Sequence, residues 1–139
     1  MGPLTRTIAA VTLALAATVA HTKDTRMVGL VFDKGAETAR VPDEIKGDEP
    51  VMYRFRAKKG QPLAVALNPE NRNTGFILYG PGKWPGTVMH DSAASGSFEF
   101  SGKAQSDGPH AVLVSRSAGG DPGEPARYEL TITVKKAAQ

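Results

Sequence analysis

The run Val51-Met-Tyr-Arg-Phe-Arg-Ala-Lys-Lys-Gly-Gln-Pro-Leu-Ala-Val-Ala-Leu67 decides the fold class of this chain. In its first half, small or apolar residues alternate with Met, Arg and Lys, which is the period of a strand with one buried face. Lys58–Gln61 is typical of a turn because Gly60 can take a positive φ. The alternation resumes from Leu63 to Leu67, so we predict a β-hairpin. Two strands cannot bury an apolar face alone, and the rest of the chain must supply a second sheet.

The remaining sequence supplies further short strands, separated by turns rich in Gly, Pro and Asn. Together with the hairpin they make about eight strands, with turn signals every eight to twelve residues or so. No helical period of useful length follows the N-terminal segment. We predict an all-β, single-domain antiparallel sandwich, jelly-roll-like, with Thr38–Ile45 at an edge because it contains Pro42. The other strands are expected at 28–32, 74–79, 87–90, 97–101, 111–115 and 128–135.

The N-terminus has the layout of a secretory signal peptide. One cation precedes an apolar run from Ile8 to Val19, and Thr18-Val19-Ala20 offers a small-residue cleavage site. A membrane anchor needs about 18 or more apolar residues, and this run is shorter. We expect a signal peptide over 1–20 and a mature domain over 21–139 that has no membrane span and is periplasmic or secreted.

The composition of the chain indicates its cellular compartment and the classes of partner that it can bind. The chain contains no cysteine, so an exported domain must rest on packing alone, which suits a bacterial envelope. Lys and Arg number 17 against 14 Asp and Glu, and the two signs are interspersed along the chain. This pattern does not favour nucleic acid as a partner.

The residues do not form a recognisable catalytic or cofactor-binding pattern. His90-Asp91-Ser92 contains the residue types of a hydrolytic triad, but neighbours on a strand point to opposite faces and cannot assemble one. The carboxylate pairs Asp43/Glu44 and Asp48/Glu49 are expected in solvated turns. No spacing of metal ligands and no phosphate-binding loop occurs. We predict that the protein is not an enzyme and needs no cofactor or metal.

Two loops carry the candidate binding residues. The first contains Lys83 and Trp84 between prolines and glycines. Trp84 could anchor a protein partner or a sugar ring, or it could pack over an open edge of the sandwich. The second follows Ser115-Arg116, where Arg116 could bind a carboxylate of a partner with two hydrogen bonds or lie solvated on the surface.

The early segments Val31-Phe-Asp-Lys-Gly-Ala36, Glu44-Ile-Lys-Gly47 and Tyr53-Arg-Phe-Arg-Ala-Lys-Lys-Gly-Gln61 resemble the periplasmic inhibitors of g-type (goose-type) lysozyme. Val112-Leu-Val-Ser-Arg116 and Tyr128-Glu-Leu-Thr-Ile132 fit the same family. The resemblance covers roughly Met27 to Lys136. The second half is also similar to the wider group of bacterial pre-peptidase C-terminal-like β-sandwiches.

The resemblance implies a non-catalytic inhibitor that inserts loops into the substrate cleft of g-type lysozyme, as a bacterial defence against innate immunity. Arg116 matches the arginine that ends the penultimate strand of the family. Ser106 and His110 lie in the run that matches a small-Gly-x-Tyr turn, with His110 in the place of the aromatic residue. The alternatives are a carbohydrate- or peptidoglycan-binding envelope module and a structural envelope protein. The candidate lysozyme-binding residues are Arg116, Ser115, Tyr79, Lys83, Trp84, Ser106 and His110.

Overall fold

The computed structural model describes residues 19–22, 25–32, 37–117 and 123–136. The expected signal segment up to residue 18, the expected turn at Asp33–Gly35 and most of the loop after Arg116 lie outside these residues. The prediction of a cleaved signal peptide therefore stays a prediction. No helix among the described residues is long and apolar enough to cross a membrane.

The described chain forms two β-sheets packed face to face, which confirms the all-β sandwich. One sheet has six strands in the order β1-β2-β4-β9-β6-β7, and the other has four in the order β3-β10-β5-β8. Helical structure among the described residues is confined to a 3₁₀ turn, Glu70–Arg72, and one short turn, α1, Ser92–Ser95. The strands are β1 Val19–Thr22, β2 Thr25–Gly29, β3 Thr38–Ile45, β4 Val51–Ala57, β5 Pro62–Pro69, β6 Thr74–Gly80, β7 Thr87–Asp91, β8 Glu99–Lys103, β9 Gly108–Arg116 and β10 Ala126–Val134.

The core lies between the sheets and is built by the alternation seen in the sequence. In β4 the residues at every second position, from Val51 to Ala57, face inward and are buried, while Arg54 and Arg56 are exposed on the outer face. Fully buried side chains from both sheets meet them. The largest of these are Tyr53, Phe76, Ile45, Leu63, Leu78, Leu130 and Ile132.

The predicted hairpin from Val51 to Leu67 is wrong, although both of its strands form. β4 pairs with β2 and β9 in one sheet, and β5 pairs with β10 and β8 in the other. Lys58–Gln61 is therefore an arch between the sheets. It is hydrogen-bonded to Ala104, the residue after β8: Gly60 N–H donates to the Ala104 carbonyl (2.9 Å), and Ala104 N–H donates to the Gln61 carbonyl (3.0 Å). One-sided alternation suits both arrangements, because an arch turns the two apolar faces toward each other.

One strand pair departs from the antiparallel pattern of the sandwich. β2 and β4 are parallel, with Val28 opposite Tyr53. Between them the chain crosses to the other sheet and forms β3. Parallel neighbours require such a crossover, which a hairpin cannot supply. β3 lies at the edge of the four-stranded sheet, as its proline predicts.

A polar network joins the two sheets inside the sandwich. The Tyr53 hydroxyl donates to Asp43 Oδ2 at 2.7 Å and lies 2.6 Å from the Tyr128 hydroxyl. Arg26 donates to Asp43 Oδ1 at 3.0 Å, and the Glu44 N–H donates to the same oxygen at 2.7 Å. Asp43 is therefore a half-buried strand residue with three donors. The expectation that it sits in a solvated turn is wrong.

The network has a defined charge state. Burial by itself would raise the pKa of Asp43, but hydrogen bonds from Arg26 and Tyr53 outweigh it and hold that pKa below its usual value. Burial is also the main cause that raises the pKa of both Tyr53 and Tyr128. At neutral pH an ionised carboxylate therefore accepts from a guanidinium and a neutral phenol.

We expect Asp43→Asn to remove part of the acid sensitivity of folding. The pKa of Asp43 is depressed in the folded state, so its stabilising contribution is present above the unfolded pKa and is lost as pH falls through the folded pKa. At pH 7 the variant should lose about 1–3 kcal/mol of unfolding free energy, the scale of a hydrogen bond to a charged group. Between pH 7 and about pH 2 it should lose less stability than the wild type, as measured by urea unfolding.

The matched control is Glu99→Gln, an exposed carboxylate on β8. This variant should keep the wild-type loss of stability on acidification. If Asp43→Asn lost as much stability as the wild type over the same range, Asp43 would not be the group that couples acid to unfolding.

Candidate functional site

The seven candidate residues lie at two opposite ends of the sandwich. β9 begins at Gly108 and ends at Arg116, eight steps later, and its length is about 26 Å at roughly 3.3 Å per residue. Ser115 and Arg116 lie at one end. The loops that carry Lys83, Trp84 and Ser106 lie at the other. The seven candidates therefore form two groups, one at each end of the sandwich.

Arg116 bridges the two sheets through backbone carbonyls. Its Nε donates to the Gly47 carbonyl at 2.8 Å, and its Nη2 donates to the carbonyls of Ile45 (3.2 Å) and Glu124 (2.9 Å). A guanidinium has five N–H donors, and these bonds use three of them. The two donors on Nη1 have no hydrogen-bond partner among the described residues, so the position of Arg116 is fixed while one amino group can still donate to another molecule.

The anchor points of Arg116 are themselves held in place. Ile45 ends β3, two residues after Asp43, and is 1% exposed. Glu44, between them, pairs with Lys46 (3.5 Å) and Arg127 (3.4 Å). The network around Asp43 and the clamp of Arg116 therefore fix the same end of β3. The alternating pattern of the sequence could not reveal this connection, because it depends on which strands meet across the core.

A groove of about 410 Å³ opens beside Arg116, between β6, β9 and α1. Ser115 and Ser117 lie on its wall, and both are partly exposed. The Ser117 N–H donates to the Asn73 carbonyl at 2.8 Å, so the first residue after β9 is still fixed by the preceding loop. Apolar and polar side chains share the lining, which includes Ile77, Phe98, Asp91, Ser115, Arg116 and Ser117.

His90, Asp91 and Ser92 serve local structure at the far side of this groove. A ring nitrogen of His90 lies 2.9 Å from the Ser97 carbonyl oxygen. Asp91 accepts a hydrogen bond from an amide in the first turn of α1 at 3.0 Å. The buried Ser92 hydroxyl accepts from the Phe76 N–H at 2.9 Å. The three side chains have separate partners and do not form a catalytic triad.

The loop between β6 and β7 exposes Lys83 and Trp84. The Trp84 side chain is 66% exposed, so it does not pack over the sandwich edge. The loop is closed at its base by the Thr87 hydroxyl, which donates to the Pro81 carbonyl at 3.0 Å. A pocket of about 130 Å³ lies beneath the loop, on the outer face of the six-stranded sheet.

The remaining candidates at that end differ in accessibility. Ser106 is exposed in the loop before β9. Tyr79 is 8% exposed and packs on the outer face of the sheet. His110 is 1% exposed and stacks on Phe55 with 5.6 Å between ring centroids, and burial lowers its pKa. Tyr79 and His110 therefore offer a partner almost no surface.

Among the residues that the structure describes, no three His, Asp or Glu side chains are grouped as a metal site would require. No family model matches the chain.

Over 55 residues, 40% of its length, the chain is 42% identical to the inhibitor of g-type lysozyme of Escherichia coli K12. The match also covers 40% of that protein's own length. It confirms the resemblance that the early segments predict, over part of each chain.

The fold is similar to that of a solved inhibitor. PliG of Aeromonas hydrophila, a periplasmic lysozyme inhibitor of g-type lysozyme, superposes with a TM-score of 0.71 at 23% identity. The superposition covers 81% of this chain and 98% of that one. At this identity the likeness establishes the fold alone.

The wider resemblance is also confirmed at the level of fold. The pre-peptidase C-terminal domain of the Bacillus anthracis collagenase superposes with a TM-score of 0.55 at 13% identity, over 82% of this chain and 99% of that one. The chain is thus similar in local sequence to an inhibitor of g-type lysozyme. In overall fold it is similar both to such an inhibitor and to a domain of a collagenase.

Proposed function

We propose that this protein is a periplasmic or secreted inhibitor of g-type lysozyme that acts by occluding the substrate cleft. The 42% identity over 55 residues with the E. coli inhibitor carries the proposal, and the shared sandwich fold supports it. An inhibitor of this kind needs a rigid surface with complementary charge. It needs no catalytic group of its own.

We assign the contact to the end of the sandwich around Arg116. A glycosidase cleft contains a catalytic carboxylic acid, which a guanidinium can bind through charge-assisted hydrogen bonds. The two N–H donors of Arg116 Nη1 remain for such a bond, while its other donors hold the side chain in place. A side chain ordered before binding loses little further entropy on docking.

The groove next to Arg116 gives this surface its shape. Ser115 and Ser117 offer hydroxyl groups on its wall, and Ile77 and Phe98 offer apolar area. Hot spots of protein interfaces combine a buried charged or aromatic anchor with a rim that excludes water. Arg116 would be the anchor and the groove walls would form the rim. The loop with Lys83 and Trp84 lies at the other end of the sandwich and is not part of this assignment.

The first prediction of this proposal concerns the inhibition of lysozyme. The purified mature protein should inhibit goose-type lysozyme at micromolar concentration, and a higher substrate concentration should relieve the inhibition because both compete for one cleft. Lysis of a bacterial cell-wall suspension measures both effects. Chicken-type and invertebrate-type lysozymes, assayed in parallel, should keep their activity. Undiminished goose-type activity at micromolar inhibitor would contradict the proposal.

The second prediction concerns the anchor. Arg116→Ala should weaken binding to goose-type lysozyme by about 2 kcal/mol or more, roughly thirtyfold in Kd, as for a desolvated charged anchor. Calorimetric titration measures the change. The same variant should lose about 1–3 kcal/mol of unfolding free energy, because three carbonyls lose their donor. Binding must therefore be measured well below its unfolding temperature.

Two further variants separate contact from folding. Arg40→Ala removes an exposed arginine from the edge strand β3 and should leave Kd unchanged. Ser115→Asp keeps Arg116 but places a negative charge at the groove, and should weaken binding about tenfold or more by repelling the cleft carboxylate. Ser101→Asp, an exposed serine on β8, is its matched control. If Ser115→Asp bound as tightly as Ser101→Asp, the groove would lie outside the interface.

A further inference from the structure

The pocket beneath Trp84 is built differently from the groove at the other end. It lies on the outer face of the six-stranded sheet, and the part of β9 that lines it, Pro109 to Ala111, is about 17–23 Å from Arg116 along the strand. Its volume of about 130 Å³ is below the 300 Å³ or so of typical small-molecule sites, so it can take one functional group of a larger ligand. We call it the Trp84 pocket. Its main lining residues are Met52, Arg54, Pro81, Trp84, Pro85 and Pro109.

The charge of the Trp84 pocket has one sign. Arg54 lies in its lining, and none of the described residues around the pocket is acidic. No hydrogen bond or ion pair joins the Arg54 guanidinium to the described part of the chain. Lys83 and Arg56, both exposed, add positive charge nearby. The group that fits this pocket is an anion, and a carboxylate matches the planar donor fork of arginine.

The walls of the Trp84 pocket favour a saccharide as the carrier of that carboxylate. The exposed indole presents a flat face with a negative quadrupole, which attracts the weakly positive C–H groups on one side of a sugar ring. Pro81, Pro85 and Pro109 have no backbone N–H, so the wall is poorer in donors than in acceptors. Sugar hydroxyls can donate to such a wall, whereas an extended peptide also needs donors for its own carbonyls.

We propose that the Trp84 pocket is a second binding site, for a carboxylated saccharide. Arg54 binds the carboxylate, and the Trp84 ring stacks on the apolar face of the sugar that bears it. The rest of the glycan runs over the exposed surface around the loop. The site does not depend on the proposed inhibition of lysozyme, because the two surfaces share no residue.

The test uses the fluorescence of Trp84, the single tryptophan in the chain. The probe is a tetrasaccharide of alternating N-acetylglucosamine and N-acetylmuramic acid. Its neutral counterpart is the tetramer of N-acetylglucosamine, which differs only in lacking the lactyl ether groups that bear the carboxylates. Titration with the carboxylated probe should change the emission with a saturable curve, and the neutral probe should bind at least tenfold more weakly, as for the loss of a charge-assisted hydrogen bond.

Substitutions test whether Arg54 and Trp84 bind the probe. Arg54→Gln should weaken the carboxylated probe about tenfold and bring it close to the neutral one. Arg56→Gln is the matched control, because Arg56 lies two residues further on the same exposed face and does not line the pocket. It should bind like the wild type. Trp84→Ala should abolish the binding of both probes, as measured by calorimetry because this variant has no tryptophan fluorescence. Arg54→Gln and Trp84→Ala should both keep the inhibition of lysozyme.

Several outcomes would overturn the proposal. Equal affinity for the two probes would show that the carboxylate is not recognised. An equal effect of Arg54→Gln and Arg56→Gln would show that the probe is held by general electrostatic attraction and not by Arg54. A tetraglutamate peptide is also tested. If it binds as tightly as the carboxylated probe, and Arg54→Gln abolishes that binding, the ligand class would be an acidic peptide and not a saccharide. No change in emission with either probe would exclude the site, whether or not the protein inhibits lysozyme.

Discussion

The hydrogen-bonded contact between Tyr53, Asp43 and Tyr128 is the constraint on which the architecture depends. Tyr53 belongs to the six-stranded sheet, whereas Asp43 and Tyr128 belong to the four-stranded one. Apolar packing is non-directional and would tolerate small shifts of one sheet over the other. Two short polar contacts inside the sandwich do not tolerate such shifts, because a displaced buried donor or acceptor loses its partner. This network therefore fixes the alignment of the sheets at the end where Arg116 lies.

Arg116 extends the same principle to the surface. The carbonyls of Ile45, Gly47 and Glu124 come from β3, the turn after it and the segment before β10. The guanidinium donates to these three backbone carbonyls at once. An arginine in this position has a structural reason to be there. Its Nη1 group has no partner among the described residues, so the contribution to folding and the proposed contribution to binding come from different nitrogen atoms.

The sequence predicts the strands well and their connections less well. β3 has the predicted bounds Thr38–Ile45, and β4, β6 and β10 agree within one or two residues. These strands have strong alternation or long apolar runs, and their pattern depends only on local burial. The error at Val51 to Leu67 is one of pairing. A hairpin and an arch give the same alternation, and only the strands with which β4 and β5 pair distinguish them.

The candidate site shows the same limit. Exposure of Trp84 was one of two open alternatives, because a tryptophan between prolines suits both a surface loop and an edge cover. The role of Asp43 was missed, since a carboxylate beside Glu44 and close to a glycine turn resembles solvated sequence. Its side-chain partners Tyr53 and Arg26 are 10 and 17 positions away in the sequence. No local pattern contains that information, although a Tyr at an inward strand position signals a hydroxyl that needs a partner.

The separation of the two candidate surfaces follows from the fold itself. Loops of a sandwich gather at its two ends, and strands such as β9 run from one end to the other. A ligand at the Trp84 pocket would leave Arg116 and its groove uncovered. Both ends are also fixed by hydrogen bonds that do not involve a ligand: the Arg116 clamp at one end and the Thr87–Pro81 closure at the other. Because these two sets of hydrogen bonds share no residue, we expect binding at the two surfaces to be independent.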